Sequence, residues 1–182
     1  MATVAPRVTI HMVASLDFFI AKKEDDSVSW LDSTDTYEKG VTGEDAEEFF
    51  RTIGCFVMGS RTYELAMKLG WMYRDVPTIV LTRRKLAAAR PSVEFYSGDL
   101  MELVNGRLKP RYKNIWLVGG AMLARDFIRL KLVDDIRITI APIILGDGLP
   151  FFDHVGLEQP LHLKDVIAYK NGMVELWYEV RK

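Results

Sequence analysis

The sequence predicts an α/β domain: a mostly parallel central sheet of about eight strands, helices on its flanks, and an antiparallel hairpin at the end. Three observations carry that expectation. Short β-branched apolar runs alternate with helical patterns through the first two-thirds of the 182 residues, and such alternation builds parallel βαβ units. The final stretch alternates apolar and polar residues on both sides of Asn171-Gly172, a hairpin signal because both residues tolerate the positive φ of a type I′ turn. At 49% apolar and 27% charged, the composition supports a buried core, and the length suits one domain spanning 1–182.

The elements follow in order. Val8, Ile10, Met12 and Ala14 alternate with polar neighbours, as in a strand with a buried face. Residues 15–43 read as a long irregular loop, a length that is often functional. Ala46, Phe49, Phe50 and Ile53 fall at helical spacing behind Thr42 as a cap. Cys55 to Met58 is a short strand, Gly59 a turn, and Ser60 to Leu69 a helix stopped by Gly70. Thr78 to Leu81 and Val93 to Tyr96 are strands. Asp99 and Glu102 resemble a capping pair for a helix that Asn105-Gly106 would stop. Asn114 to Val118 is a buried strand, followed by Gly119-Gly120 and a helix through Leu130. Ile136, Ile138 and Ile140 mark another strand. Leu161 to Tyr169 and Val174 to Val180 form the hairpin.

Composition also excludes functions. A formal net charge of −1 leaves no footprint for nucleic acid or an anionic membrane. The single cysteine, Cys55, permits no disulfide within the chain and suits a reducing compartment; mid-strand, it reads as a small buried hydrophobe. The start lacks a signal-peptide pattern, and no apolar run reaches the ~20 residues of a membrane helix, so a cytoplasmic protein is expected. His11, His154 and His162 lack metal spacing, so no metal is expected. Walker A, G-x-G-x-x-G and G-x-S-x-G motifs are absent.

Chemistry in an open α/β sheet sits beyond the carboxyl ends of the strands. Three junctions there suit anions. Val118-Gly119-Gly120-Ala121 opens a helix without a capping side chain, leaving N–H groups for a pyrophosphate, with a tight turn where glycine avoids a clash as the plainer alternative. Gly59-Ser60-Arg61-Thr62 offers hydroxyls and a cation at a helix start, with Ser60 capping its own helix as the plainer alternative. Thr82-Arg83-Arg84-Lys85 ends a strand in cations suited to a ribose 2′-phosphate. Together they suggest a phosphorylated dinucleotide across the sheet edge. The acids Glu44, Asp45, Glu47 and Glu48 read as the wet face of a helix.

The stretches 14–21 (ASLDFFIA), 57–64 (VMGSRTYE), 79–83 (IVLTR), 116–123 (WLVGGAML) and 132–152 (LVDDIRITIAPIILGDGLPFF), in this order over nearly the whole chain, resemble the dihydrofolate reductase-like superfamily. The branch they resemble most is the RibD C-terminal reductase domain of riboflavin biosynthesis, and a stand-alone member, without the deaminase domain that accompanies it, is expected. The resemblance implies NADPH as cofactor, held by Ala14, Gly59, Ser60, Arg61, Thr62, Thr82, Arg83, Val118, Gly119, Gly120, Ala121, Met122 and Leu123. It places Asp17, Phe18 and Trp30 at the substrate, with Asp17, Asp35 or a water as proton source; Asp17 could equally cap the turn after the first strand. Two positions depart from that branch: Phe18 stands where it has glycine, and Val118 where it has glutamate. The expected function is hydride transfer to a C=N or C=O bond of a small pyrimidine- or pterin-like heterocycle, with a non-catalytic NADP(H)-binding member as the alternative. A homodimer is also expected, with Trp177 at or near its interface because Val174, Leu176, Tyr178 and Val180 face the core.

Overall fold

The computed structural model describes residues 5–24, 27–32, 35–43 and 50–182. The helix expected between Thr42 and Ile53 falls within them only for its last turn at 50–52, and the acids Glu44, Asp45, Glu47 and Glu48 lie outside them.

In chain order the elements are β1 (Arg7–Ala14), β2 (Phe19–Ala21), a 3-10 turn (Ser29–Leu31), β3 (Cys55–Gly59), α1 (Ser60–Lys68), β4 (Thr78–Leu81), β5 (Val93–Tyr96), a π-helical segment (Glu102–Leu108), β6 (Asn114–Gly119), α2 (Ala121–Arg129), β7 (Asp135–Ile140), β8 (Leu149–Pro150), β9 (Leu161–Ala168) and β10 (Val174–Val180). Eight strands form one sheet in the order β5-β4-β3-β6-β1-β7-β10-β9. The neighbours from β5 to β7 run parallel, and β10 lies antiparallel to both β7 and β9. The expected class is confirmed. β2 and β8 pair with each other apart from the main sheet; strands of three and two residues are too short for periodicity to reveal.

The period-two pattern sorts side chains to the two faces. Val8, Ile10, Cys55, Val57, Ile115, Leu117, Ile136 and Ile138 share a buried cluster with Ala124, Phe127 and Ile128 of α2. Phe56, Met58 and Val80 join Tyr63 and Ala66 of α1 in a second cluster. The two helices therefore cover opposite faces. Cys55 is fully buried, and burial pushes its thiol up to about 12, as a structural hydrophobe requires.

Three local expectations differ from the structure. Asp99 does cap its helix, accepting from the Glu102 N–H at 2.9 Å, but Asn105-Gly106 does not stop it. The chain stays helical to Leu108 because Leu103, Val104 and Leu108 are buried in the main cluster, and that burial overrides the weak propensity of Asn and Gly. The hairpin turn is not type I′. Only Gly172 has positive φ (+77°), and the Tyr169 N–H donates to the Met173 carbonyl at 2.8 Å across a three-residue loop. Finally, Trp177 is no exposed patch. Its ring lies between the Lys164 ammonium (4.2 Å) and the Arg137 guanidinium (5.0 Å), and its indole N–H donates to Asp135 at 3.1 Å. The exposed apolar row of the hairpin is on the other face, at Leu161, Leu163 and Val166 of the edge strand, where no helix among the described residues covers β9. Val180 is buried as expected, whereas Val174, Leu176 and Tyr178 are only partly so.

Candidate active site at the carboxyl edge of the sheet

β4, β3 and β6 are consecutive neighbours, so the three junctions stand side by side at about 5 Å per strand. α1 leaves β3 toward one face and α2 leaves β6 toward the other, opening a crevice between their N-termini where the connections diverge. The caps of both helices are glycines, Gly59 and Gly120, with no side-chain hydrogen bond at either. Ser60 therefore does not cap its own helix. The first N–H groups of both helices point at this edge with a partial positive charge.

Packing fixes the glycine turn. Gly119 has φ +132°, and a Cβ there would lie 2.7 Å from Met12 Sδ of β1. Its peptide to Gly120 is cis. Nothing lies within 4 Å of the position a Gly120 Cβ would take, and a Gly59 Cβ would stand 4.0 Å from the Gly119 carbonyl. The two turns border one open space. Of the flanking residues, Val118 and Leu123 are half-buried against the two clusters, while Met122 is exposed in the first turn of α2.

The cations divide by role. Arg84 makes two hydrogen bonds to Glu64 of α1, at 2.9 and 2.7 Å. The Thr82 hydroxyl accepts from the Arg84 N–H at 3.0 Å. Arg61 and Arg83 are exposed and make no ion pair among the described residues. Sequence reasoning could not tell Arg83 from Arg84, because Glu64 is a neighbour only once α1 packs beside β4.

Asp17 is a fastener. Its carboxylate accepts from the Ser15 hydroxyl (2.6 Å), the Leu145 N–H (3.1 Å) and the Gly146 N–H (2.8 Å). The Ser15 hydroxyl first, then those two backbone donors, hold the carboxyl below the usual aspartate range. It stays an anion that ties the loop after β1 to the loop after β7. Phe18, next to it, has φ +63°, the left-handed region glycine adopts freely, and its ring is 45% exposed. Phe18 thus puts a bulky side chain at a backbone position that glycine would take without strain. Asp35 also lies at this edge, its carboxylate filling the space a Gly172 Cβ would need, but β7 and β10 separate it from β1. Trp30 is buried, and its indole N–H meets no partner among the described residues. Sequence reading missed the segment Ile143–Gly146, which supplies the N–H donors to Asp17. Its signal was the apolar run that continues beyond Pro142, past the end of β7.

Away from the edge, His11 of β1 packs against Trp116 with the two rings tilted (4.5 Å between ring centres), and its Nε2 lies 3.1 Å from the Thr139 hydroxyl. Burial, then the nearby Arg137 charge, lowers its pKa to about 3. The Glu175 carboxylate at 3.5 Å would favour the protonated form, but Arg137 already neutralises it, so desolvation prevails.

Residues 6–174 match the RibD C-terminal domain, and the chain belongs to that family. It is 30% identical over 174 residues to the uncharacterized protein YwjB of Bacillus subtilis, covering 94% of this chain and 97% of that one. Among solved structures, the "Putative riboflavin biosynthesis protein" of Shewanella sp. PV-4 superposes with a TM-score of 0.82 at 19% identity, over 97% of this chain and 99% of that one. The diaminohydroxyphosphoribosylaminopyrimidine deaminase/5-amino-6-(5-phosphoribosylamino)uracil reductase of Thermotoga maritima gives a TM-score of 0.66 at 15% identity, and there this chain, matched over 97% of its length, spans 57% of the other. Within the described residues, no cluster of metal-ligating side chains occurs and no helix is long and apolar enough to cross a membrane.

Proposed function

We propose that the chain is an NADPH-dependent reductase of small molecules. The observation that carries this reading is the pair of uncapped helix N-termini opening on one space between adjacent glycine turns, with Arg61 and Arg83 exposed beside them. Those donors and cations fit a phosphorylated dinucleotide. The N–H groups at Gly120–Leu123 and at Ser60–Thr62 would hold the phosphates, and Thr82 with Arg83 the 2′-phosphate. Bound there, NADPH would supply a hydride. The chain's own part is to orient the reactants and keep water from them. Asp17 holds the substrate side of the edge in shape. As a carboxylate satisfied by three donors it is a poor proton donor near neutral pH, which leaves water for that step; Asp35 stands away from β1, beyond β7 and β10.

The test is a pair of thermal-shift titrations. NADPH is expected to raise the melting temperature far more than NADH, and Arg83→Ala to abolish the difference; equal shifts in the wild type would remove the 2′-phosphate assignment. Turnover is read separately, as NADPH oxidation across pterins, pyrimidines, quinones and aldehydes. Tight NADPH binding with no oxidation of any of them would select the non-catalytic alternative.

The same reading includes a homodimer, now through the exposed face of the edge strand rather than Trp177. Leu161, Leu163 and Val166 give an uncovered aliphatic row of the kind that closes on itself about a two-fold axis. Sedimentation equilibrium is expected to give twice the 20.8 kDa chain mass, and Leu163→Glu half of that result. A wild-type monomer at micromolar concentration refutes it.

A further inference from the structure

Two loops at the carboxyl edge carry large apolar side chains that the protein leaves in water. In the loop after β1, Leu16 is 56% and Phe18 45% exposed; in the loop after β7, Ile143 is 36% and Ile144 68% exposed. These are not frayed segments. The Leu16 N–H donates to the Ile143 carbonyl at 2.7 Å, the Asp17 carboxylate takes the N–H groups of Leu145 and Gly146, and the Phe151 N–H donates to the Phe18 carbonyl at 2.8 Å. The backbone is thus fixed while the side chains face solvent, so their exposure is built in.

The charge pattern says what such a lip accepts. Asp17 is the single charged residue in 15–21 and 141–146, and its carboxylate is consumed by three donors. No lysine, arginine or histidine stands in either segment. A phosphate or carboxylate held against these side chains would find no cation in either segment; of the two lysines that follow Ala21, Lys23 is already paired with Asp147 at 3.6 Å. Arg61 and Arg83, which make no ion pair among the described residues, stand three and four strands from β7, on the junctions assigned to the nucleotide. Phe18 adds a second indication, because a bulky ring is kept at a left-handed backbone position where glycine would be unstrained. The lip also adjoins the glycine turn: Gly119 packs on Met12, two residues before the end of β1.

We propose that this lip receives the substrate through an uncharged, apolar aromatic ring, so that the molecules reduced here are neutral ring compounds such as quinones and not sugar phosphates. Phe18 and Ile144 are the residues that set this preference. The inference rests on the reductase reading for the word substrate, but the binding of the ring does not require the nucleotide.

The experiment measures binding with no turnover. Menadione, a neutral bicyclic quinone, and ribose 5-phosphate are titrated into the full chain, with and without NADP+, and followed by line broadening of the ligand protons. Saturable menadione binding is expected, with no ribose 5-phosphate binding in the millimolar range. Phe18→Gly, which keeps the backbone, and Ile144→Asp, at a fully wet position, are each expected to weaken menadione at least tenfold and to leave NADP+ affinity within twofold. Binding of ribose 5-phosphate without menadione, or menadione affinity within twofold of wild type in both variants, overturns the proposal. So does a dimer that dissociates on Ile144→Asp, which would give the lip to a second copy. Failure of NADP+ to bind refutes the reductase reading alone, since the titration without nucleotide still decides the lip.

Discussion

Phe18 is the residue at which family pattern, backbone and function meet. A non-glycine residue held at φ +63° costs about 1 kcal/mol, and its ring is not buried deeply enough to repay it. Phe18→Gly is therefore expected to leave the fold intact and to stabilise it by up to about 1 kcal/mol in urea, the gain being limited by the freer unfolded chain. A fall in stability would mean that the ring packs more than its exposure implies. His11 makes the opposite kind of prediction. Its folded pKa of about 3 lies below the ordinary 6.5, so the unfolded chain binds the proton first. Stability is complete above pH 6.5 and falls as the pH drops toward 3, at up to about 1.4 kcal/mol per pH unit from this group. Denaturation midpoints between pH 7 and 4.5 are expected to show that slope, and His11→Gln to flatten it. Neither property is readable from the sequence. The strand pattern places His11 on β1, but its partners Thr139 and Glu175 arrive from β7 and β10.

Among the elements, the glycine turn between β6 and α2 has the least tolerance. Alanine at Gly119 would meet both the left-handed backbone (φ +132°) and the Met12 sulfur. A loss of about 2–3 kcal/mol is expected, together with loss of the NADPH-induced thermal shift. Gly120→Ala, with open space at its Cβ, should retain the fold while weakening the nucleotide, so the pair separates packing from binding. The junctions were legible because they depend on local signals: a strand, a glycine and a helix with no cap. The roles of single residues within them were less so. Arg84 and Arg83 are adjacent cations that differ only through Glu64, and the backbone donors to Asp17 come from 128 and 129 positions further along. The helix through Asn105-Gly106 shows the same limit, since its continuation depends on a core that local propensity does not report.

For the whole molecule, the sheet order explains both what reading the sequence achieves and where the site falls. Alternating strand and helix patterns announce parallel pairs, and the Asn-Gly hairpin announces the antiparallel edge, so the class follows from periodicity. The order of the strands does not. β6 inserts between β3 and β1, and this insertion sends α1 and α2 to opposite faces and leaves the crevice between them.

That insertion also governs how the chain is made. β1 is made long before either of its sheet partners, β6 and β7, which come far later along the chain; Arg7 of β1 and Asp135 of β7 are 128 positions apart. At roughly 10 residues per second, the interval between the synthesis of those two residues is on the order of ten seconds. Until β6 is made, a strand carrying Val8, Ile10 and Met12 has no lateral neighbour, while β3, β4 and β5 can already assemble among themselves. The nascent protein thus carries its future central strand unpaired through much of that interval, a natural client for a chaperone that holds short apolar segments.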